Sequence, residues 1–132
     1  MLDKYRKEVK LVFKHFPLPN HVFAREAAVA ALAAHDQGKF WEFHTKLSDN
    51  YSGINSAMIQ ESAKAVGLDM ERLRRTMSDP ALQRLITRDI TEGREIGIRG
   101  IPSIYINGKF LKDRNLLGFQ KMIEAELKKK TP

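Results

Sequence analysis

The stretch RGIPSIYINGKF, residues 99–110, constrains the fold more than any other part of the sequence. Pro102 has no backbone N–H and a fixed φ, so it can begin a β-strand but cannot lie in the middle of one. Residues 103–106 then predict a short buried strand, and the Asn-Gly pair after them is the strongest two-residue signal for a hairpin turn. We therefore expect a hairpin whose second strand covers residues 109–111, followed directly by the last helix.

The sequence upstream of this hairpin predicts one strand and then a block of helices. Apolar β-branched and aromatic residues within 9–16, closed by a Pro-Leu-Pro stretch, are typical of a buried strand. Apolar residues at helical spacing, with capping residues and glycine stops, predict five helices within residues 20–97, and Asn115 can cap a sixth. The buried faces expected of the fifth and sixth helices are, respectively, Leu82, Leu85, Ile86, Ile90 and Ile96, and Leu116, Phe119, Met122, Ile123 and Leu127.

This pattern predicts a single α/β domain over residues 1–132. At this length one core can bury roughly two thirds of the surface of the unfolded chain. The helices at about 20–97 lie between the first strand and the hairpin, so we interpret them as an insertion between two parts of a small sheet. The long connection is compatible with parallel pairing of the first two strands, or with both strands flanking a third.

The sequence contains no cysteine. By itself the chain therefore forms no disulfide and no thiolate metal site, and it offers no thiol nucleophile. No apolar run approaches the ~18 residues that span a bilayer, and MLDKYRKEVK lacks the apolar core of a secretory signal, so we expect no membrane association. A cytoplasmic location is expected if Met1 is the true start.

The net charge of +7 favours non-specific attraction to nucleic acid or anionic lipid. The basic residues are spread along the chain, apart from a lysine run at 128–130. No aromatic residues interleave with them as they do on an RNA-binding strand. A solvated basic surface is therefore the interpretation that we favour, and we expect no specific nucleic-acid partner.

The histidines and aromatic residues show no catalytic or metal-binding pattern. A metal site needs three or four converging ligands, and no histidine pair is spaced i, i+4 with carboxylate support. We therefore expect no metal and no cofactor. His35 is expected to be a hydrogen-bonded packing residue and His44 a helix-surface residue. Core packing is expected of Phe40, Trp41 and Phe43.

Five segments carry a resemblance to a known family: VKLVFKHFPLP, AREAAVAALAAHDQGKFWEFHTKL, AVGLDMERLRRTM, EGREIGIRGIPSIYINGKF and the closing helix. Over nearly the whole chain they resemble the DsbA-like branch of the thioredoxin superfamily, a family of protein-disulfide oxidoreductases and isomerases. The resemblance implies a thioredoxin-like fold with an inserted helical subdomain. It also implies a cis peptide bond between Ile101 and Pro102, and a substrate-binding role for both, in which the backbone before the proline pairs with a bound peptide.

The sequence departs from this family at its beginning. The family's first core strand and its Cys-x-x-Cys helix would lie upstream of residues 9–16, where only residues 1–8 remain. The resemblance thus implies an incomplete thioredoxin-like fold with no catalytic residue. As a single chain, the protein is then expected to be inactive as an oxidoreductase. Loss of the central strand would leave unpaired backbone groups, each costing roughly 1–3 kcal/mol when buried. We expect the two remaining strands to pair directly, or a homodimer or strand-exchanged oligomer to fill the gap.

Three functions remain open on the sequence alone. The chain represents a thiol-disulfide oxidoreductase whose catalytic segment is missing here, or a redox-inactive dimer that binds a peptide or protein, or, least expected, a basic accessory protein that binds nucleic acid. The loop at Ile101 and Pro102 either binds peptide or only shapes the chain. Because the helical subdomain borders the active site in this family, a binding groove is the alternative for Phe40, Trp41 and Phe43. Family members usually work in an oxidising compartment, which is the alternative to a cytoplasmic location.

Overall fold

The computed structural model describes residues 2–130. Within that range the chain forms six α-helices and one two-stranded sheet, with 3-10 turns at Leu2–Tyr5 and Tyr51–Gly53. In chain order the elements are α1 (Ala24–Asp36), α2 (Phe40–Asp49), α3 (Ser56–Ala65), α4 (Met70–Met77), α5 (Pro80–Glu95), β1 (Tyr105–Ile106), β2 (Lys109–Phe110) and α6 (Leu116–Lys130). The five helices predicted within residues 20–97 and the sixth after the hairpin are confirmed. Among the same residues, no helix has the length and apolarity that crossing a membrane requires.

Side-chain caps explain why four of the helices begin where they do. The carboxylate of Asp69 accepts hydrogen bonds from two amides in the first turn of α4. The side chain of Asp79 accepts one hydrogen bond from an amide in the first turn of α5. Pro80 occupies the first helical position, where the lack of an N–H leaves no donor unpaired. Asn55 and Asn115 cap α3 and α6 in the same way, at 2.8 and 2.7 Å. Each such cap contributes about 1 kcal/mol to helix stability.

The chain divides into two compact units. The helical unit covers residues 14–96 and contains α1 to α5. The hairpin unit combines residues 2–13 with residues 97–130 and contains β1, β2 and α6.

The core of the helical unit is built on the small side chains of α1. Ala30, Ala33 and Ala34 are fully buried, so neighbouring helices can approach the α1 backbone closely. Ala63 of α3 and larger apolar side chains from the other four helices belong to the same buried cluster: Phe43, Leu47, Ile59, Leu73, Leu82 and Ile86. Full burial of a Phe or Ile side chain contributes roughly 1.5–3 kcal/mol, and this cluster is the principal source of stability in the unit.

The face of α5 that is buried differs in part from the predicted one. Leu82 and Ile86 are buried and Ile90 is half-buried, as expected, but Leu85 is exposed at the edge of the stripe. Ile96 is also exposed, because α5 ends at Glu95 and the helical spacing no longer applies beyond it. Asp89 and Gly93 are buried on this face of α5 instead.

The buried face of α6 is narrower than predicted. Ile123 is buried, whereas Phe119, Met122 and Leu127 are half-buried and Leu116 is exposed. Helical spacing selects one face of a helix, but how deeply that face is buried depends on what packs against it.

The predicted hairpin is confirmed, with shorter strands than expected. Tyr105 pairs with Phe110 and Ile106 with Lys109 in antiparallel register. The turn residues Asn107 and Gly108 have φ angles of 48° and 81°, which a type I′ turn requires at both positions. The amide of Leu111 donates to the carbonyl of Ile104 at 2.8 Å, which continues the pairing by one step.

The strand predicted at residues 9–16 is wrong, since none of these residues forms a strand. Among residues 2–130, strand β1 pairs only with β2, and residues 9–16 do not add to either edge of this two-stranded sheet. The amide of His15 donates instead to the side chain of Asp89, at 3.0 Å. Leu11 and Val12 are 51% and 60% exposed, in spite of their β-strand pattern.

Candidate peptide-binding site

The loop between α5 and β1 is shaped by a glycine and two hydrogen bonds. Gly97 follows α5 with a φ of 85°, a conformation that favours glycine. The hydroxyl of Ser103 donates to the carbonyl of Gly100 at 2.7 Å, and Arg114 Nη1 donates to the carbonyl of Pro102 at 2.7 Å. These two bonds hold the carbonyls on either side of Ile101.

Ile101 presents unpaired backbone groups at the surface of this loop. Its side chain is 48% exposed, and the peptide bond to Pro102 is cis. Within residues 2–130, neither its N–H nor its C=O forms a hydrogen bond. The carbonyl of Gly100 points towards Ser103, so the N–H of the same trans peptide, which belongs to Ile101, points away from it. Pro102 adds no N–H of its own.

An open cleft of about 420 Å³ lies against this loop and the hairpin. Ile101, Tyr105 and Phe110 line its apolar part, and the rings of Tyr105 and Phe110 meet edge to face with centroids 5.5 Å apart. Arg99, Lys112 and Arg114 line its charged part, and no carboxylate side chain is among the lining residues. The cleft therefore combines apolar surface, free backbone groups and positive charge.

The three cations of the cleft have no ion-pair partner in the described part of the chain, unlike a lysine close to them in sequence. Among residues 2–130, no carboxylate forms an ion pair with Arg99, Lys112 or Arg114. Lys109, by contrast, donates to the carboxylate of Glu126, which also accepts from a second lysine in α6. The hydrogen bond from Lys109, followed by that from the second lysine, lowers the pKa of Glu126 to about 2. The same bond to Glu126 raises the pKa of Lys109.

A separate aromatic group lies around Phe40 in the helical unit. The ring of His44 stacks on Phe40 at 5.6 Å, and those of Trp41, His15 and His35 meet it edge-on at 4.9, 6.1 and 6.5 Å. Burial lowers the pKa of His15 and of His44. Within residues 2–130, no three His, Asp or Glu side chains converge in a way that could hold a metal ion.

The predictions for these aromatic residues are only partly correct. Core packing is confirmed for Phe43, which is fully buried, but Trp41 is exposed. His35, in the last turn of α1, is also exposed rather than packed in the core. His44 is half-buried rather than at the surface.

Three features of the cleft were missed by reasoning from the sequence. The sequence alone places Arg99, Lys112 and Arg114 in a dispersed basic surface, and only the fold brings them beside the loop. No local sequence signal marks Arg114, which directly precedes the Asn115 cap of α6, because its contact with Pro102 depends on the path of the chain after the hairpin.

Comparison with known proteins gives consistent results. A family model described as a DSBA-like thioredoxin domain matches residues 1–124. The structure resembles that of a thioredoxin-like oxidoreductase from Silicibacter pomeroyi DSS-3, with a TM-score of 0.75 and 28% identity, over 90% of this chain and 68% of that one. The predicted α/β thioredoxin-like fold is therefore confirmed.

Curated relatives include sodium–proton antiporters. The chain is 32% identical over 102 residues to Na(+)/H(+) antiporter NhaA 3 of Salinispora tropica, covering 76% of this chain and 16% of the antiporter. It is 34% identical over 101 residues to Na(+)/H(+) antiporter NhaA 1 of Mycolicibacterium vanbaalenii, covering 74% and 16%. The chain thus spans about a sixth of the length of these relatives.

Proposed function

Because the chain belongs to the DSBA-like thioredoxin domain family, we propose that it binds an extended segment of peptide or protein at Ile101 and Pro102, without thiol-disulfide exchange of its own. The match to antiporters covers about a sixth of their length, so ion transport is no part of this proposal.

The free backbone groups of Ile101 carry the proposal. An extended peptide that adds to a protein as a strand gains its affinity from main-chain hydrogen bonds, which need an accessible donor and acceptor. Ile101 offers both, and Ser103 fixes the orientation of the peptide unit that contains the donor. Pro102 has no N–H to compete for the same ligand carbonyl.

The absence of cysteine limits this function to binding. Disulfide exchange proceeds by attack of a thiolate on a disulfide sulfur, and this sequence supplies none. If the sequence belongs to a longer polypeptide that contains a Cys-x-x-Cys segment, the same loop would bind the substrate of an oxidoreductase.

A second proposal concerns the assembly in which binding takes place. Leu11 and Val12 are exposed, and β1 has no strand partner other than β2 among residues 2–130. We propose that a homodimer or strand-exchanged oligomer pairs this segment between subunits. Light scattering after size-exclusion chromatography should then give a dimer mass throughout a dilution series. A monomer mass at every concentration would contradict strand exchange and leave peptide binding unaffected.

Peptide binding is tested with isoleucine variants of matched exposure. The probes are fluorescein-labelled, cysteine-free decapeptides with apolar residues at alternate positions, read by anisotropy. Ile101→Ser removes the apolar contact, and because about half of that side chain remains to be buried, we expect roughly fivefold weaker binding. Ile96→Ser, at an exposed isoleucine that does not line the cleft, is the control and should bind like the unmodified protein.

The backbone contact itself is read by NMR. Saturating peptide should shift the amide resonance of Ile101 and slow its hydrogen exchange. Peptide binding that leaves this amide unchanged would place the site elsewhere and would refute the proposal.

A further inference from the structure

We infer that the segment bound in this cleft is acidic, with carboxylates flanking an apolar residue. The inference rests on the proposed function and adds to it the class of ligand. Its basis is charge complementarity, because the cleft presents three cations beside an apolar surface and a free backbone donor and acceptor.

Within residues 2–130, no carboxylate neutralises the positive charge of the cleft by an ion pair. Among the described residues, Arg99, Lys112 and Arg114 form no ion pair, and the cleft lining includes no carboxylate side chain. Asp113 lies between Lys112 and Arg114 in the sequence but does not line the cleft. The carboxylate of Glu126 accepts hydrogen bonds from two lysines, which lower its pKa to about 2 and keep it ionised.

Arg114 places one of these charges beside the peptide-binding loop. Its Nη1 atom donates to the carbonyl of Pro102, which anchors the guanidinium next to Ile101. A guanidinium has five N–H donors in a fixed plane, so one bond to a carbonyl leaves donors for a carboxylate. A carboxylate close to the residue that pairs with Ile101 is therefore the expected partner of Arg114.

The apolar part of the cleft is where the ligand's apolar residue, between its carboxylates, is expected to bind. Ile101, Tyr105 and Phe110 are all exposed, and the two aromatic rings lie in contact. Apolar surface of this kind accepts many side chains with little discrimination. The three cations are what would distinguish an acidic segment from a neutral or a basic one.

The test compares three peptides with one apolar pattern and different charge. In cysteine-free decapeptides, the four flanking positions are Glu, Gln or Lys, and affinities are measured by anisotropy at low and at physiological salt. Exposed ion pairs are individually weak, so three of them should make the Glu peptide about tenfold tighter than the Gln peptide at low salt. This preference should shrink at higher salt, because exposed charges are screened.

Variants assign the preference to the cleft. Arg99→Gln and Lys112→Gln remove charge while leaving the bond from Arg114 to Pro102 intact, and each should reduce the Glu-over-Gln preference about two- to threefold. Lys121→Gln removes an exposed lysine of α6 that does not line the cleft, and it should leave the preference unchanged.

The outcomes separate this inference from the function on which it rests. Equal affinity for the Glu and Gln peptides, or tighter binding of the Lys peptide, would overturn the inference while peptide binding stands. Binding of no peptide would overturn both. Tighter binding of a single-stranded oligonucleotide with the same number of charges, lost in the same two variants, would overturn the inference in favour of nucleic acid.

Discussion

The helical unit and the hairpin unit differ in how much of their apolar surface they bury. In the helical unit, α1 to α5 enclose a cluster of alanines with Phe43, Ile59 and Ile86 fully buried. In the hairpin unit, within the described part of the chain, only three apolar side chains are buried, those of Tyr5, Leu111 and Ile123. Many of its other large apolar residues are exposed: Leu11, Val12, Ile101, Tyr105, Phe110, Leu116 and Leu117.

This difference explains where binding is expected. A unit whose apolar side chains are mostly buried offers a ligand little apolar surface, whereas apolar side chains that are exposed together are typical of interaction sites. The free backbone groups and unpaired cations of the cleft also lie in the hairpin unit. The comparison therefore separates a unit built for stability from a unit available for recognition.

The largest effect is expected from breaking the core of the helical unit. Phe43→Ala empties a fully buried site in α2, so the free energy of unfolding should fall by about 3–5 kcal/mol. Trp41→Ala, two residues away on the exposed side of the same helix, is the control and should cost far less. Urea unfolding followed by circular dichroism measures both. Equal losses would mean that α2 is not buried as described.

A smaller effect is expected at the start of α6 in the hairpin unit. A Cβ atom at Gly118 would overlap the backbone carbonyl of Asp113, so Gly118→Ala forces the preceding loop to move. Overpacking costs about 1–3 kcal/mol and the better helix propensity of alanine returns up to about 1 kcal/mol. We therefore expect a net loss of about 1–2 kcal/mol in urea unfolding.

Gly53→Ala provides the matched control for this substitution. No described atom lies within 4 Å of a Cβ built there, so the stability should hardly change. A Gly118→Ala protein with an unchanged free energy of unfolding would show that the loop before α6 can move at little energetic cost.

The two units should also respond to acid at different pH. Burial lowers the pKa of His15, an effect that Asp89 opposes and His44 reinforces, so the folded helical unit favours the neutral ring. In the unfolded chain, His15 gains a proton near its ordinary pKa of about 6.5. The stabilising contribution is therefore complete above pH 6.5 and is lost as the pH falls through the lower pKa of the folded state.

His15→Gln should flatten this part of the stability profile while keeping the bond to Asp89, which comes from the backbone amide. His21→Gln, at an exposed histidine, is the control. Urea midpoints between pH 7.5 and 5 measure the effect. A profile unchanged by His15→Gln would show that this ring does not couple to folding.

The sequence predicts local features of this chain well and non-local ones poorly. Caps such as Asn115 and the Asn-Gly turn act within a few residues, and both lie where the sequence predicts them. A strand at residues 9–16 needs a partner edge from elsewhere, which a pattern of side chains cannot supply. Ile101 and Pro102 could be singled out from the sequence because the resemblance marks them. Arg114 could not, because its role depends on where the chain returns after the hairpin.

The smallest effect is expected at Glu126 in the hairpin unit. The hydrogen bond from Lys109 lowers the pKa of Glu126 to about 2, from an ordinary value of about 4.3. The stabilising contribution is complete above pH 4.3 and is lost as the pH falls towards 2, so it leaves the pH range of the histidines untouched. The protection factors of amides in β2 and α6, which correct for the intrinsic pH dependence of exchange, should fall over this range in the unmodified protein, and Glu126→Gln should remove that change. Glu61→Gln, at an exposed glutamate of α3, should leave it in place. Protection factors of these amides that begin to fall near pH 6.5 would instead mean that the histidines of the helical unit control both units, and that the two are not separable by pH.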